Sequence, residues 1–131
     1  MQVVYESPKV EMQRDMDLIR DLLILMEDDQ RLDGTQWLEV KQADFPSQPL
    51  ENVAYHVRLL VEAGFVRGNI GGDMPAVSRL TWEGHEFLDN IKDVGVWEKT
   101  KERLQGIPGV ALSVVAAIAE AEIKKRLGLT P

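Results

Sequence analysis

Few residues of this sequence could do chemistry, and they are widely separated along the chain. The two histidines, His56 and His85, lack the spacing of metal ligands, such as two histidines four residues apart with a third ligand. The absence of cysteine excludes disulfides, thiolate nucleophiles and cysteine-bound zinc. Gly68 to Gly72 lacks the Gly-Lys-Ser/Thr sequence of a phosphate loop. We therefore expect no catalytic residue, no metal and no cofactor, and a protein that is not an enzyme.

A polar stripe on a predicted helix is the better candidate for binding. Apolar residues between Val53 and Val61 recur at helical spacing, and they predict a helix that begins near Pro49 and ends before Gly64. Gly64 is expected to have a positive φ. The solvent stripe of this helix and its flanking positions comprise Glu51, Asn52, Tyr55, His56, Arg58 and Glu62.

The residues after this helix predict a β-hairpin, which would be the wing of a winged helix. Its strands are expected near residues 65–67 and 77–80, separated by the turn-rich stretch from Gly68 to Pro75. The helix before such a hairpin reads DNA in winged-helix proteins. DNA contacts are therefore expected at six residues: Asn52 and Tyr55 near base edges with His56 beside them, and Arg58, Arg67 and Arg79 at phosphates.

Charge offers a competing interpretation of the same surface. The chain has a net charge of −7, and residues 48–81 carry three Lys/Arg and three Asp/Glu. Glu51 and Glu62 repel phosphate, so the stripe also fits an ordinary mixed-charge helix face. Both interpretations stay open at this point.

The elements that must position these residues follow from apolar periodicity. Residues 14–29 predict an amphipathic helix, Trp37 to Val40 a short strand, and residues 82–91 a third helix capped by Thr81. Two more helices are expected at 96–104 and 110–127, and an edge strand could form at residues 3–5. Trp82 and Trp97 are expected in the core, with an aromatic ligand pocket as the alternative.

This order predicts an α+β fold, mainly helical with a small β-hairpin. We expect one domain over residues 1–131, with a winged helix-turn-helix-like core at 14–93 and a C-terminal helical extension at 94–131. The N-terminus lacks the basic start and apolar run of a signal peptide, and no apolar run is long enough to cross a membrane. A cytoplasmic protein without membrane contact is the simplest expectation.

Two resemblances carry this interpretation further. The segment from Val53 to Val66 resembles the recognition helix of bacterial winged-helix repressors of the arsenic-sensor type. Four spaced motifs are similar to the bacterial and phage family catalogued as domain of unknown function 2513; they begin at Arg14, Val53, Leu80 and Val96. The resemblance implies a small cytoplasmic protein, often encoded near mobile elements, with no established activity.

The sequence departs from the repressor pattern between Val40 and Gln48. A repressor has a helix immediately before its recognition helix, but Asp44, Pro46 and Ser47 interrupt any helical period here. Two functions therefore remain: a DNA-binding transcription-regulator-like protein of phage or plasmid type, or a protein-protein interaction adaptor on a winged-helix scaffold without DNA binding. We also expect a homodimer through residues 110–127, because their apolar surface exceeds what one short helix needs to bury. The alternative is that this helix simply packs across the winged helix.

Overall fold

A computed structural model describes residues 13–129, so the edge strand predicted at residues 3–5 lies outside the described residues. This part of the chain forms an α+β fold of five α-helices and one three-stranded antiparallel sheet. The helices are α1 (Met16–Asp28), α2 (Leu50–Glu62), α3 (Trp82–Ile91), α4 (Val94–Leu104) and α5 (Leu112–Arg126). The strands are β1 (Leu38–Glu39), β2 (Val66–Asn69) and β3 (Ala76–Leu80).

The first helix forms where periodicity predicts it. Asp15 caps α1, because its carboxylate accepts a hydrogen bond of 3.1 Å from the amide of Leu18. The apolar side of α1 is buried in the core against α2, α3 and β3. Its buried residues are Leu18, Ile19, Leu22, Leu23 and Met26.

The sheet confirms the predicted hairpin and adds β1 as a third strand. Its order is β1-β3-β2, so the last strand in sequence lies in the middle. The register between β2 and β3 shifts between Arg67 and Gly68, which leaves Ser78 as an extra residue in β3. Before this shift, the paired residues Val66 and Leu80 face the core. The next pair, Arg67 and Arg79, faces outward.

Gly64 ends α2 with the predicted positive φ, which is +80°. Gly84 lies at the first turn of α3, and a Cβ built there would be 2.0 Å from the carbonyl oxygen of Phe65. Thr81 also holds this junction, because its backbone amide donates to Phe65 O at 2.9 Å and its hydroxyl accepts from the Gly84 amide. The start of β2 is therefore packed directly on α3.

The break expected before α2 is confirmed. Residues Gln42–Asp44 form only a three-residue 3₁₀ helix between β1 and α2. The chain then turns through Pro46 and enters α2 after Pro49, which lies at the cap position. A complete helix that could precede α2 in a helix-turn-helix is missing from this segment.

One tryptophan expected in the core is buried and the other is not. Trp97 on α4 is 2% exposed, and its indole Nε1 donates to the carboxylate of Asp17 at 2.7 Å. The prediction for Trp82 is wrong, since this side chain is 74% exposed. Trp82 is the first residue of α3 and follows the end of β3 by two residues. No element of residues 13–129 covers its side chain at this point.

The last two helices, α4 and α5, pack against each other and against α3. Helix α5 contacts α3 and α4, and its Val115 and Ala119 are fully buried. Glu122 is also buried on this side, with a carboxylate oxygen 3.6 Å from Arg103 Nη2 of α4. Within the described residues, no helix has the length and apolar content needed to cross a membrane.

Candidate interaction surface

The helix α2 uses most of its predicted binding residues inside the protein. His56 is completely buried: its Nε2 accepts a hydrogen bond from the Asp15 amide, and its Nδ1 donates to Asn52 O, both at 2.8 Å. The imidazole is therefore neutral in this arrangement, because one nitrogen must accept. The prediction of His56 as a DNA contact is corrected, since the N-terminal end of α1 covers it.

Asn52 lies one turn before His56 and is partly buried. Its Nδ2 donates to Gln48 Oε1 at 2.9 Å, which ties the first turn of α2 to the preceding loop. Its Oδ1 is buried without a hydrogen-bond partner in the described residues. The Asn52 side chain therefore stabilises the start of α2 and offers little to an outside partner.

Arg58 fastens the hairpin loop to α2. Its Nη2 donates to the carbonyl oxygens of Gly72 at 3.0 Å and Asp73 at 2.8 Å. Tyr55, one turn earlier, is half-buried, and its ring meets the His56 ring edge-on with centroids 5.3 Å apart. Arg58 and Tyr55 stay predicted contacts, but the position of each is already set by groups of the protein itself.

The loop that Arg58 holds has a defined turn. Asn69 Oδ1 accepts the amide of Gly71 at 3.0 Å, which is an Asx turn, and Gly72 follows with φ +85°. Ile70 lies in this turn and is 49% exposed. The hairpin tip is thus ordered by local hydrogen bonds and by α2 together.

Arg67 and Arg79 are the predicted site residues that do face outward. They are directly opposite each other on β2 and β3. The Arg67 guanidinium lies 5.8 Å from the centre of the Trp37 ring, close enough for a cation-π contact. Because β3 separates β1 from β2, this contact crosses the central strand and places the three side chains on one face. We call Trp37, Arg67 and Arg79 the Trp37 patch.

The turn before β1 positions the Trp37 patch. Gly34, at φ +96°, donates its amide to Ser78 O at 3.1 Å, so the turn is attached to the extra residue of β3. A Cβ on Gly34 would be 3.3 Å from Arg79 Cδ, which shows that the arginine stem passes over this glycine. Asp33 accepts hydrogen bonds from the hydroxyl and amide of Thr35, and these lower its carboxyl pKa.

In the described residues the two arginines of the Trp37 patch are not paired with a carboxylate, although Asp33 and Glu39 lie close to Trp37 in sequence. Within residues 13–129, neither Arg67 nor Arg79 forms an ion pair. Arg79 donates one hydrogen bond to its neighbour, from Nη1 to Leu80 O at 3.0 Å. Within the described residues, the patch therefore contains two cations without an ion-pair partner on a chain of net charge −7.

A cleft lies between the C-terminal end of α1 and β1, with a volume of about 440 Å³. Leu25, Leu38 and Val77 form part of its apolar floor, whereas Asp28 and Lys41 lie among its charged lining residues. These charges have both signs. The cleft therefore does not indicate a particular ligand.

In residues 13–129, no set of three or more His, Asp or Glu side chains is placed to hold a metal ion. His85 lies on α3 with Nδ1 3.4 Å from Glu27 Oε2. Lys92 also bonds to Glu27, and its hydrogen bond is the main cause of the lowered pKa of that carboxyl.

Sequence reasoning missed Trp37 as a surface residue. It assigned Trp37 only to a strand, whereas the side chain is 51% exposed and lies next to Arg67. The available signal was the adjacent Asp33-Gly34 turn, since a residue at a strand end is covered only if another element crosses it. Nothing in the spacing of Trp37 and Arg67 could show that β3 would bring them together.

Comparison with known proteins places this chain in a family. The profile of the family described as "Hypothetical protein (DUF2513)" matches residues 13–111. An uncharacterized protein of Haemophilus influenzae is 30% identical over 121 residues, which cover 88% of this chain and 99% of that relative. No solved structure matched, so the resemblance to arsenic-sensor repressors gains no support. The chain belongs to the DUF2513 family.

Proposed function

We propose that this chain is a protein-interaction module on a winged-helix scaffold, and that it does not read DNA through α2. One observation carries the proposal: Asn52, His56 and Arg58 all direct polar groups to partners within the protein. A reading helix needs such groups free for base edges and phosphates. The helix α2 instead uses them to join α1, the preceding loop and the hairpin.

The order of elements supports the winged-helix part of the proposal. A helix, a strand, a short 3₁₀ helix, a second helix and a hairpin follow one another, with β3 in the middle of the sheet. A helix-turn-helix uses its first helix to cross the DNA backbone and its second to enter the major groove. Three residues at Gln42–Asp44 are too few for that first helix. The order of elements therefore fits a winged-helix scaffold that lacks the element which would dock it on DNA.

Charge also favours a protein partner. Residues 48–81, which contain α2 and the hairpin, are neutral in formal charge within a chain of net charge −7. Binding to duplex DNA depends on cations that replace the counterions of many phosphates. A surface with tryptophan and arginine side by side is instead typical of the centres of protein-protein interfaces.

DNA binding is tested directly by selection from a random duplex pool at low salt. We expect no enriched sequence. If a dimer used Arg58, Arg67 and Arg79 at phosphates, about six contacts would give a slope of log K against log salt near −5, and Arg58→Ala would reduce that slope by about 2. An enriched duplex that shows this behaviour would overturn the proposal.

Protein binding is tested by a photo-crosslinking amino acid placed at position 36 in the full chain within its native cells, because Gln36 is exposed and lies next to Trp37. We expect a discrete crosslinked protein that is lost when Arg67→Glu is added. Position 94 is the matched control, because Val94 is 65% exposed and lies at the start of α4, outside the Trp37 patch. Equal crosslinking from both positions would contradict the proposal.

A further inference from the structure

We propose that the Trp37 patch binds an acidic, extended segment of a partner protein. This inference rests on the proposed interaction function and names the chemistry of the partner. Arg67 and Arg79 would bind two carboxylates of the segment, and the exposed part of the Trp37 ring would contact an apolar side chain on the same face of the segment. The three residues form one face because Arg67 reaches Trp37 across β3.

The paired arginines are the first step of the argument. Arg67 and Arg79 are Cα partners in an antiparallel sheet, where opposite Cβ atoms lie about 4.5–5.5 Å apart. Like charges at that position destabilise a sheet. The chain has 22 acidic and 15 basic residues, yet the described part places no carboxylate within ion-pair distance of either arginine. An anionic partner would remove this repulsion.

The free donors of these arginines fit carboxylates. In the described residues Arg67 donates no hydrogen bond, and Arg79 uses only Nη1. A guanidinium can bind a carboxylate through two parallel N–H groups. Side chains on one face of an extended peptide are about 7 Å apart, which two long arginines on neighbouring strands can span. The geometry therefore suits two carboxylates at alternate positions of a strand-like segment.

The surroundings of the patch favour a short acidic segment over a nucleic acid. Asp33 lies in the turn before Trp37, and Glu39 follows two residues after it. A continuous phosphate backbone would pass these carboxylates and gain only two cations, although its affinity depends on many. A peptide can place its two acidic side chains at the arginines and present neutral groups elsewhere.

The test uses a short fluorescein-labelled peptide rich in glutamate with one central phenylalanine, and the full-length protein. Fluorescence anisotropy should show saturable binding that weakens as salt rises. The double variant Arg67→Gln/Arg79→Gln should bind at least about tenfold more weakly, because each charge-assisted hydrogen-bond pair is lost. Trp37→Ala should have an effect of the same order. Lys125→Gln, an exposed cation on α5, is the control and should leave binding unchanged.

Each outcome has a fixed meaning. Arg67→Lys keeps the charge but loses the planar fork, so intermediate binding by this milder variant supports carboxylate recognition even if the double variant is poorly folded. Absence of peptide binding, or equal binding by all variants, overturns the acidic partner. Tighter binding of an oligothymidine of the same charge overturns it in favour of nucleic acid. A specific crosslink from position 36 would still support the interaction function, so the two failures can be told apart.

Discussion

At the residue scale, two glycines determine how the chain enters β2, and they do so for different reasons. Gly64 adopts φ +80°, and a Cβ there would meet nothing within 4 Å. Gly84 lies in a helix with ordinary φ, but its missing Cβ leaves room for the backbone of Phe65. Gly64 is needed for its conformation and Gly84 for its size. The two requirements give different predictions.

We predict that Gly84→Ala destabilises the protein by about 3 kcal/mol, because the new methyl group would overlap backbone atoms that cannot rotate away. Helix propensity alone would give the opposite sign, since alanine is favoured over glycine within a helix by about 1 kcal/mol. Urea unfolding measures the difference. Gly71→Ala is the control, since its nearest new contact is the Asn69 side chain at 3.3 Å. A neutral or stabilising Gly84→Ala would show that α3 can move away from β2.

For Gly64→Ala we expect a smaller loss of about 1 kcal/mol, due to the left-handed backbone alone. Gly64→Asn should lose less, because asparagine tolerates this conformation better than alanine. Thermal or urea unfolding of the two variants checks the order. If both variants were as stable as the parent, the positive φ would not be needed to end α2.

At the scale of elements, α1 is held by hydrogen bonds at several points. Arg20 Nε donates to the carbonyl oxygen of Ile91 at 2.9 Å and Nη2 to that of Lys92 at 2.6 Å, at the C-terminal end of α3. Asp17 accepts the indole N–H of Trp97. Burial opposes ionisation of Asp17, but the hydrogen bonds from Trp97 and Lys101 outweigh it and lower the carboxyl pKa.

The lowered pKa of Asp17 predicts a dependence of stability on pH. The folded state favours the ionised carboxylate, so its contribution is present above the unfolded pKa of about 3.9 and is lost as pH falls through the lower folded pKa. Asp17→Asn should therefore be less stable than the parent at pH 7 and approach it as pH falls through the lowered folded-state pKa of Asp17. We expect a gap below about 1 kcal/mol between the free energies of unfolding of the variant and the parent, because 58% of the Asp17 side chain is exposed.

Urea unfolding at a series of pH values gives this gap. Trp97→Phe removes the donor and keeps an aromatic ring, so the Asp17→Asn/Trp97→Phe double variant measures how much of the effect comes from this bond. A gap between Asp17→Asn and the parent that does not change with pH would contradict the ionic explanation.

Arg58 gives a second prediction at this scale, because it joins α2 to the hairpin loop. Arg58→Ala should speed hydrogen exchange of the loop amides around Gly72 and Asp73, while exchange in the core of α1 stays unchanged. Arg67→Ala is the matched control, since Arg67 makes no hydrogen bond to that loop. Unchanged loop exchange in Arg58→Ala would mean that local turns alone order the loop.

The sequence was informative about elements and less so about their contacts. Capping residues and apolar periodicity located α1, α3 and the hairpin, because these signals are local. The burial of His56 could not be foreseen, since periodicity places it beside the exposed stripe and only the position of α1 covers it. Trp82 shows the reverse case, an apolar residue at helical spacing that no neighbouring element covers. The Trp37 patch likewise depends on strand order.

At the scale of the whole molecule, the homodimer through residues 110–127 stays a prediction. Helix α5 buries one side in the core, but Val114 at the flank of that side is 46% exposed, and Ile118 and Ala121 continue its row. Deleting α5 would also uncover the core at Val115 and Ala119, so a single substitution is the cleaner test.

We predict that Val114→Glu gives a monomer where the parent is a dimer, because a charge would lie in the apolar contact. Sedimentation at high micromolar concentration measures the mass. Ser113→Glu adds the same charge at a neighbouring exposed position and should leave the dimer intact. A parent protein that sediments as a monomer would remove the dimer from consideration.

The long reach of the α1 contacts also determines when the protein can become folded during synthesis. The partner of Asp17 is made 80 residues later, and those of Arg20 more than 70 residues later. At about 5–20 residues per second, roughly 4 to 16 s separate the synthesis of α1 from that of Trp97. The elements that cover the apolar side of α1, which are α2, β3 and α3, are complete before α4 is made. A nascent chain that stalls before α4 would therefore lack the contacts of Asp17 with α4, whereas one that stalls before α2 would expose the apolar side of α1 to chaperones and to other unfinished chains.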